Sequence, residues 1–160
     1  MIFVTVGTQL AFDRMIRVVD AWAGASGRAD VFAQIGPGAW RPSHIEWSEF
    51  VTPGEFDRRS RESDVIIGHA GMGAILTAMQ YGKPIVIMPR RAALREQRND
   101  HQVATARRFS HRQGITVAMD EHELVDRLDQ LDSLVGADAI SDRASDQLIN
   151  AIREFIHDSP

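Results

Sequence analysis

His69-Ala70-Gly71-Met72-Gly73 has the composition of a ligand-binding turn. Glycines at 71 and 73 let backbone approach a ligand closely. A helix that begins there points several unpaired N–H groups and its positive dipole end at the turn. Such a turn suits an anion, most naturally a phosphate. His69 stands ready to donate a hydrogen bond to a phosphate or sugar oxygen, and the positive helix end lowers its pKa and leaves it neutral. The plainer alternative is a histidine that only fixes the turn through backbone bonds. Further on, Asn99-Asp100-His101-Gln102 places a carboxylate and an amide together, side chains that bind vicinal hydroxyls well. Here too a plainer reading exists: Asn99 or Asp100 caps a helix, and Gln102 fills a surface position.

The elements that position these residues follow from periodicity. Val65-Ile66-Ile67, closed by Gly68, reads as a strand buried on both faces. Ala74 to Met79 carries apolar residues at helical spacing, Gly82 and Pro84 punctuate its end, and Ile85–Met88 is a second buried strand stopped by Pro89. A right-handed βαβ crossover results. Upstream, Ile2–Val6 is a first strand, and Gly7-Thr8-Gln9 is a turn at the carboxyl edge of the sheet, where ligands bind in α/β folds. Thr8 or Asp13 is also a natural cap for the helix that follows, whose stripe is Phe12, Met15, Ile16, Val19 and Ala23.

Asp30–Ile35 is a second strand. Its Gln34-Ile35-Gly36 turn occupies the same edge, where it lines the site or serves as a plain turn. A short strand is expected around His44–Trp47, and Trp47 and Phe50 pack on the sheet in the simpler reading. Residues 53–63 form a short surface helix with Arg58, Arg59 and Arg61. After the polar segment 90–98 come a helix with Val103, Ala106 and Phe109 inward, a last strand at 114–118, and a helix with Leu124, Leu128 and Leu131 on one face. A final helix spans roughly 139–155. The fold class is α/β, a Rossmann-like parallel sheet flanked by helices. It forms a single domain over residues 1–160, with a core at 1–118 and C-terminal helices at 120–158.

Composition narrows the function. With 160 residues, 44% of them hydrophobic, the chain buries a real core as one globular domain. The absence of cysteine removes disulfides and thiolate metal sites, and the six histidines show no pair at metal-ligand spacing. No apolar run reaches the roughly 20 residues that span a bilayer, and the N-terminus lacks the pattern of a signal peptide, so a cytoplasmic protein is expected. The net charge of −4 conceals a basic centre, seven arginines between Arg90 and Arg112, and an acidic tail. The basic segment is a solvated face, or a contact for anionic lipid or a pyrophosphate-linked acceptor, or a dock for an acidic partner. Nucleic-acid binding is not supported, because the chain is acidic and no aromatic residues interleave with the cluster at a recognisable motif spacing.

The sequence HAGMG before a helix, GKPIVIMP, the NDHQ segment and the N-terminal VTVGTQLAFDR together resemble the C-terminal, donor-binding half of family 28 GT-B glycosyltransferases. The pattern is most similar to short single-domain members, the catalytic subunits of two-subunit N-acetylglucosaminyl- and exopolysaccharide glycosyltransferases. The resemblance implies half of a GT-B fold that binds a UDP-sugar and transfers its sugar, with inversion, to a lipid-pyrophosphate-linked saccharide. It implies a membrane-anchored acceptor-binding partner that recruits the chain to the cytosolic membrane face, and no metal or other cofactor.

Carried over residue by residue, the resemblance assigns Gly7, Thr8 and Gly36 to the donor cleft, and Phe50 and Val51 to the neighbourhood of the base. It assigns His69, Ala70, Gly71, Met72 and Gly73 to the phosphate turn. Thr77 falls where many relatives carry an acidic residue that grips the ribose. Arg90 lies on a loop beside the donor, and Asn99, Asp100, His101 and Gln102 fall in the segment that reads sugar hydroxyls. His69 and Asp100 are the catalytic candidates, and no convincing general base stands out; His69 and Asp13 are unanchored candidates. Two other readings stay open: a non-catalytic nucleotide-sugar-binding module, and another phosphate-binding α/β enzyme such as an epimerase relative, which the length disfavours.

Overall fold

A computed structural model describes residues 1–139. The helix expected at 139–155 lies, beyond its first residue, outside the described residues. Six strands form one parallel sheet: β1 (Ile2–Thr5), β2 (Val31–Gln34), β3 (Glu46–Ser48), β4 (Val65–His69), β5 (Ile85–Met88) and β6 (Ile115–Val117), in the spatial order β3-β2-β1-β4-β5-β6. Four helices connect strands, α1 (Asp13–Ser26), α2 (Pro53–Glu62), α3 (Met72–Gln80) and α4 (His101–Phe109), and α5 (Glu121–Leu128) follows β6. The sheet grows outward from β1 in one direction through β2 and β3, then returns to the other side of β1 with β4. Loops leaving β1 and β4 therefore diverge, and the crevice between them is where an open α/β sheet binds ligands.

Side-chain alternation assigns the two faces. Ile2, Val4, Ile67, Val86 and Met88 point to one side, where Met15, Ile16, Val19 and Ala23 of α1 and Leu124 and Leu128 of α5 cover them. Ile66, Ile85 and Ile87 point to the other, under Ala74, Ile75, Ala78 and Met79 of α3 and Ala106 of α4. Phe3 and Phe32 take the same side as α3 and meet Phe56 of α2, the Phe3 and Phe56 rings 5.4 Å apart and nearly edge-on. Both faces are thus apolar, which is why the strands read as continuous hydrophobic runs.

Several boundaries differ from the sequence expectation for local reasons. β4 does not stop at Gly68 but continues through His69, because it is a central strand paired on both sides: Gly68 aligns with Thr5 and Ile87, and His69 with Met88. Glycine at 68 brings α3 close, since a Cβ there would lie 3.4 Å from that of Ala74. α1 ends at Gly27, whose φ of 66° supplies the left-handed C-terminal turn. Neither Thr8 nor Asp13 caps α1; Phe12 holds that position, and the Asp13 carboxylate accepts the Trp40 N–H at 3.0 Å, tying the segment after β2 to α1. α5 begins with a reciprocal cap, Asp120 accepting from the Glu123 N–H at 2.9 Å and Glu123 from the Met119 N–H at 2.7 Å.

Candidate functional site

A cleft of about 610 Å³ opens at the carboxyl edge of the sheet, over the divergence of β1 and β4. One wall is the turn and first residues of α3. Gly71 is the N-cap with no side-chain cap, and the first intrahelical bond of that turn runs from the Ile75 N–H to the Gly71 carbonyl at 3.3 Å. The N–H groups of Met72, Gly73 and Ala74 come before it and are directed at the cleft. Gly73 needs no glycine for packing, because a Cβ there would meet nothing within 4 Å. What its small size leaves is open space at the positive end of the helix.

His69 sits beneath this wall. A Cβ at Gly7 would lie 2.7 Å from its Cε1, and one at Gly71 would lie 2.7 Å from its Cδ2, so the imidazole occupies the space that two missing side chains leave. Its Nδ1 is buried with no hydrogen-bond partner of good geometry. Burial first, and then the Arg90 guanidinium, lower its pKa to about 4, against a weaker opposing pull from the Thr5 carbonyl. The direction matches the sequence expectation, but the main cause is desolvation and not the helix end. A neutral imidazole that takes a proton only near pH 4 is a poor general base at pH 7 and a serviceable hydrogen-bonding group.

Gly7 lines the cleft and is held from both sides. Its N–H donates to Thr5 Oγ1 at 3.2 Å, and its carbonyl accepts from Gln34 Nε2 at 2.9 Å. Gln34, buried, also accepts from the Thr5 hydroxyl at 2.8 Å. The φ of 80° at Gly7 explains the glycine. Thr8 lines the cleft beside it.

Arg90 is only 2% exposed and acts as a clamp. Its guanidinium donates to the carbonyls of Val6 at 2.9 Å, Leu10 at 2.6 Å and Ala11 at 2.6 Å, and it stacks 4.7 Å from the Phe12 ring. Burial lowers its pKa from the ordinary arginine value. Its backbone N–H donates to Gln102 Oε1 at 3.1 Å, which fixes that buried amide and leaves Nε2 as the donor on its other side. Arg90 lines the cleft, yet its donors serve the loop after β1. A second arginine, Arg14, closes the neighbouring loop through a two-pronged pair with Glu96, at 2.6 and 2.8 Å. The basic centre seen in the sequence is therefore partly internal: Arg91 too donates to the Met119 carbonyl, at 2.6 Å.

Phe50, Val51, Met72, Thr77, His101 and Gln102 also line the cleft, Phe50 being 62% exposed and Val51 buried. Four residues expected in the site are not in its wall. Gly36 backs onto Val6 and Ala11, because its φ of 83° turns the chain away from the edge. Ala70 is buried in the core and its N–H donates to the Met88 carbonyl at 3.1 Å, an extension of the sheet ladder. Asn99 accepts from the His101 N–H at 3.2 Å, which turns it toward its own helix start. Asp100, expected to be catalytic, occupies the N-cap position of α4 without a side-chain cap bond; its carboxylate accepts the Ala92 N–H at 2.8 Å and pins the single 3₁₀ turn at 92–94.

The cleft also contains residues the sequence reading passed over. Pro53, Phe56 and Asp57 bring α2 into the wall, and Gln80 extends it along α3. Their spacing, i, i+3, i+4, is the signal: it puts one face of α2 on the cleft while Arg58 and Arg61 stay outside, so α2 is not merely a surface element. Among the described residues no group of three histidine, aspartate or glutamate side chains stands close enough to hold a metal ion, and no helix is long and apolar enough to cross a membrane.

Among curated proteins no sequence matches the chain. Solved structures that share its fold include the glycotransferase of kitacinnamycin, at 19% identity and a TM-score of 0.62 over 82% of this chain and 34% of that one. ALG13 matches at 18% identity and a TM-score of 0.59, over 84% of this chain and 87% of that one. MurG of Acinetobacter baumannii matches at 19% identity and a TM-score of 0.59, over 81% and 40% respectively. The chain thus spans about a third of the first of these and nearly the whole of ALG13. The glycosyltransferase family 28 C-terminal domain matches residues 1–156, and the chain belongs to that family.

Proposed function

We propose that the chain is the donor-binding, catalytic subunit of an inverting glycosyltransferase that takes sugar from a UDP-sugar and adds it to a lipid-linked saccharide. The observation that carries this is the uncapped N-terminus of α3, opening with Gly71 and Gly73 onto the cleft at the carboxyl edge of the sheet. A diphosphate seated there meets the N–H groups of Met72, Gly73 and Ala74 and the positive end of the helix. In the transfer, an acceptor hydroxyl oxygen bonds to the anomeric carbon as the bond from that carbon to the phosphate oxygen breaks. The hydroxyl proton goes to a base, and the departing diphosphate takes up negative charge that the helix end stabilises. No cofactor is invoked for this step. His69 is the hydrogen-bonding group beside the phosphates, and Gln102 and His101 face the sugar. The base comes from the acceptor side, since His69 is too weakly basic and Asp13 and Asp100 are engaged elsewhere.

The partner that supplies the acceptor side finds support in the rim of the cleft. Five of the seven large apolar side chains exposed among the described residues are Leu10, Phe50, Met72, Leu76 and Leu94, all on the loops and helix that border it. An apolar border of this kind suits a second protein that closes the cleft. In this reading the partner is a membrane-anchored, acceptor-binding subunit, and it holds the chain at the cytosolic membrane face. The test is a thermal-shift panel with UDP, ADP, GDP, TDP and phosphate, followed by transfer assays with candidate partners. Stabilisation by UDP with transfer in the complex supports the proposal; binding without transfer in any complex favours a non-catalytic nucleotide-sugar module.

A further inference from the structure

Asp57 is the one carboxylate in the cleft wall among the described residues. The others at this edge have been drawn away: Glu96 to Arg14 and Asp100 to the Ala92 N–H. Asp57 projects from α2 toward α3, where the Tyr81 hydroxyl donates to its Oδ1. Its Oδ2 has only a distant cation, Arg61 at 3.9 Å. Thr77, on the facing stretch of α3, uses its hydroxyl proton on the Gly73 carbonyl of its own helix at 2.9 Å. That leaves on α3 at this depth of the cleft only the neutral amide of Gln80, and opposite it one oriented, ionisable acceptor.

Position along α3 says what that acceptor meets. With a rise of about 1.5 Å per residue, Thr77 lies about 6 Å and Tyr81 about 12 Å beyond Gly73. A ribose extends over that range from a diphosphate seated at the start of the helix. Beyond it, Phe56, Val51 and the exposed Phe50 provide an apolar wall suited to a base. A carboxylate has two oxygens and accepts two hydrogen bonds at once, the requirement for a vicinal diol.

We propose that Asp57, oriented by Tyr81, reads the ribose of the nucleotide donor by accepting hydrogen bonds from its 2′ and 3′ hydroxyls. Asp57 is a specificity residue and Tyr81 a positioning residue. The proposal rests on the donor-binding reading above and adds to it the group that selects a ribonucleotide.

The test is titration calorimetry on the full chain with three probes: UDP, 2′-deoxy-UDP and inorganic pyrophosphate. Asp57→Asn keeps a carbonyl acceptor for Tyr81 and removes the charge. Wild type is expected to prefer UDP over 2′-deoxy-UDP by about tenfold, the worth of one hydrogen bond to a charged group. In D57N that preference falls to within about twofold while pyrophosphate binds as before, and Tyr81→Phe lies between. Retention of the full preference in D57N overturns the proposal, as does an equal loss of UDP and pyrophosphate. If wild type binds UDP without distinguishing the deoxy form, the proposal fails and the donor reading stands. If wild type binds neither UDP nor pyrophosphate, both fail.

Discussion

The imidazole of His69 lies where a side chain of Gly7 would be, so close that a Cβ there would stand 2.7 Å from Cε1 and 3.1 Å from Nε2. Gly71 faces the same ring from the other side. Two loops from neighbouring strands are thereby keyed to one side chain, and the turn that opens onto the cleft depends on it.

Gly71→Ala tests that keying. Its backbone, at φ −97° and ψ 141°, accepts any residue, so the loss comes from the ring alone. Overpacking of this kind costs about 1–3 kcal/mol. In a His69→Ala background the same change is expected to cost less than about 0.5 kcal/mol, a coupling that a double-mutant cycle of urea denaturations measures. Equal costs in both backgrounds would show that ring and glycine are independent.

His69 also gives the fold a pH dependence. Its folded pKa of about 4 lies below the ordinary value of 6.5, so on acidification the unfolded chain binds the proton first. The contribution is complete above about pH 6.5 and is lost as pH falls toward 4. Its size is on the order of 3 kcal/mol. Denaturation midpoints of wild type and His69→Gln, compared at pH 7 and pH 4.5, are expected to converge as the pH falls. A constant gap between them would contradict the burial of a neutral ring.

Arg90 is a different kind of anchor. Arg90→Met leaves the carbonyls of Val6, Leu10 and Ala11 without their donor, and a loss of at least about 3 kcal/mol is expected. Arg90→Lys keeps the charge but not the fork, and retains part of the stability. Chemical denaturation distinguishes the two. A near-neutral Arg90→Met would mean that the loop after β1 holds itself.

Much of this was legible before the structure. The βαβ unit around β4, α3 and β5 was readable because β-branched runs, glycines and prolines mark its boundaries locally. The two glycines against His69 were recognised as a turn, although the ring between them was not, because Gly7 and His69 meet only across β1 and β4. Arg90 was placed beside the cleft, but its carbonyl partners lie about 80 residues upstream and no local pattern announces them. Asp100 had the position of a cap and the chemistry of a sugar ligand. Only the fold-back of the 92–94 turn turns its carboxylate elsewhere. The composition of α2 reads as a surface helix because its arginines dominate, while Pro53, Phe56 and Asp57 carry the face that lines the cleft.

Gly73→Asp separates binding from folding. The open space at this position admits the side chain, and a carboxylate in the first turn favours the helix by about 0.3–1 kcal/mol. The same charge stands where a diphosphate would sit. The variant is expected to be at least as stable as wild type while losing UDP binding more than about tenfold, a repulsion of at least 1.4 kcal/mol. Unchanged UDP affinity in calorimetry would place the phosphates elsewhere.

The most direct measurement is amide chemical-shift mapping of the full chain during titration with UDP. The largest shifts are predicted at Met72, Gly73 and Ala74, with further changes at Thr8 and the Gln102 side-chain amide. Saturable shifts confined to the groove between α1 and α5, around Trp22 and Val125, or none at all, would contradict the assignment of this cleft as the donor site.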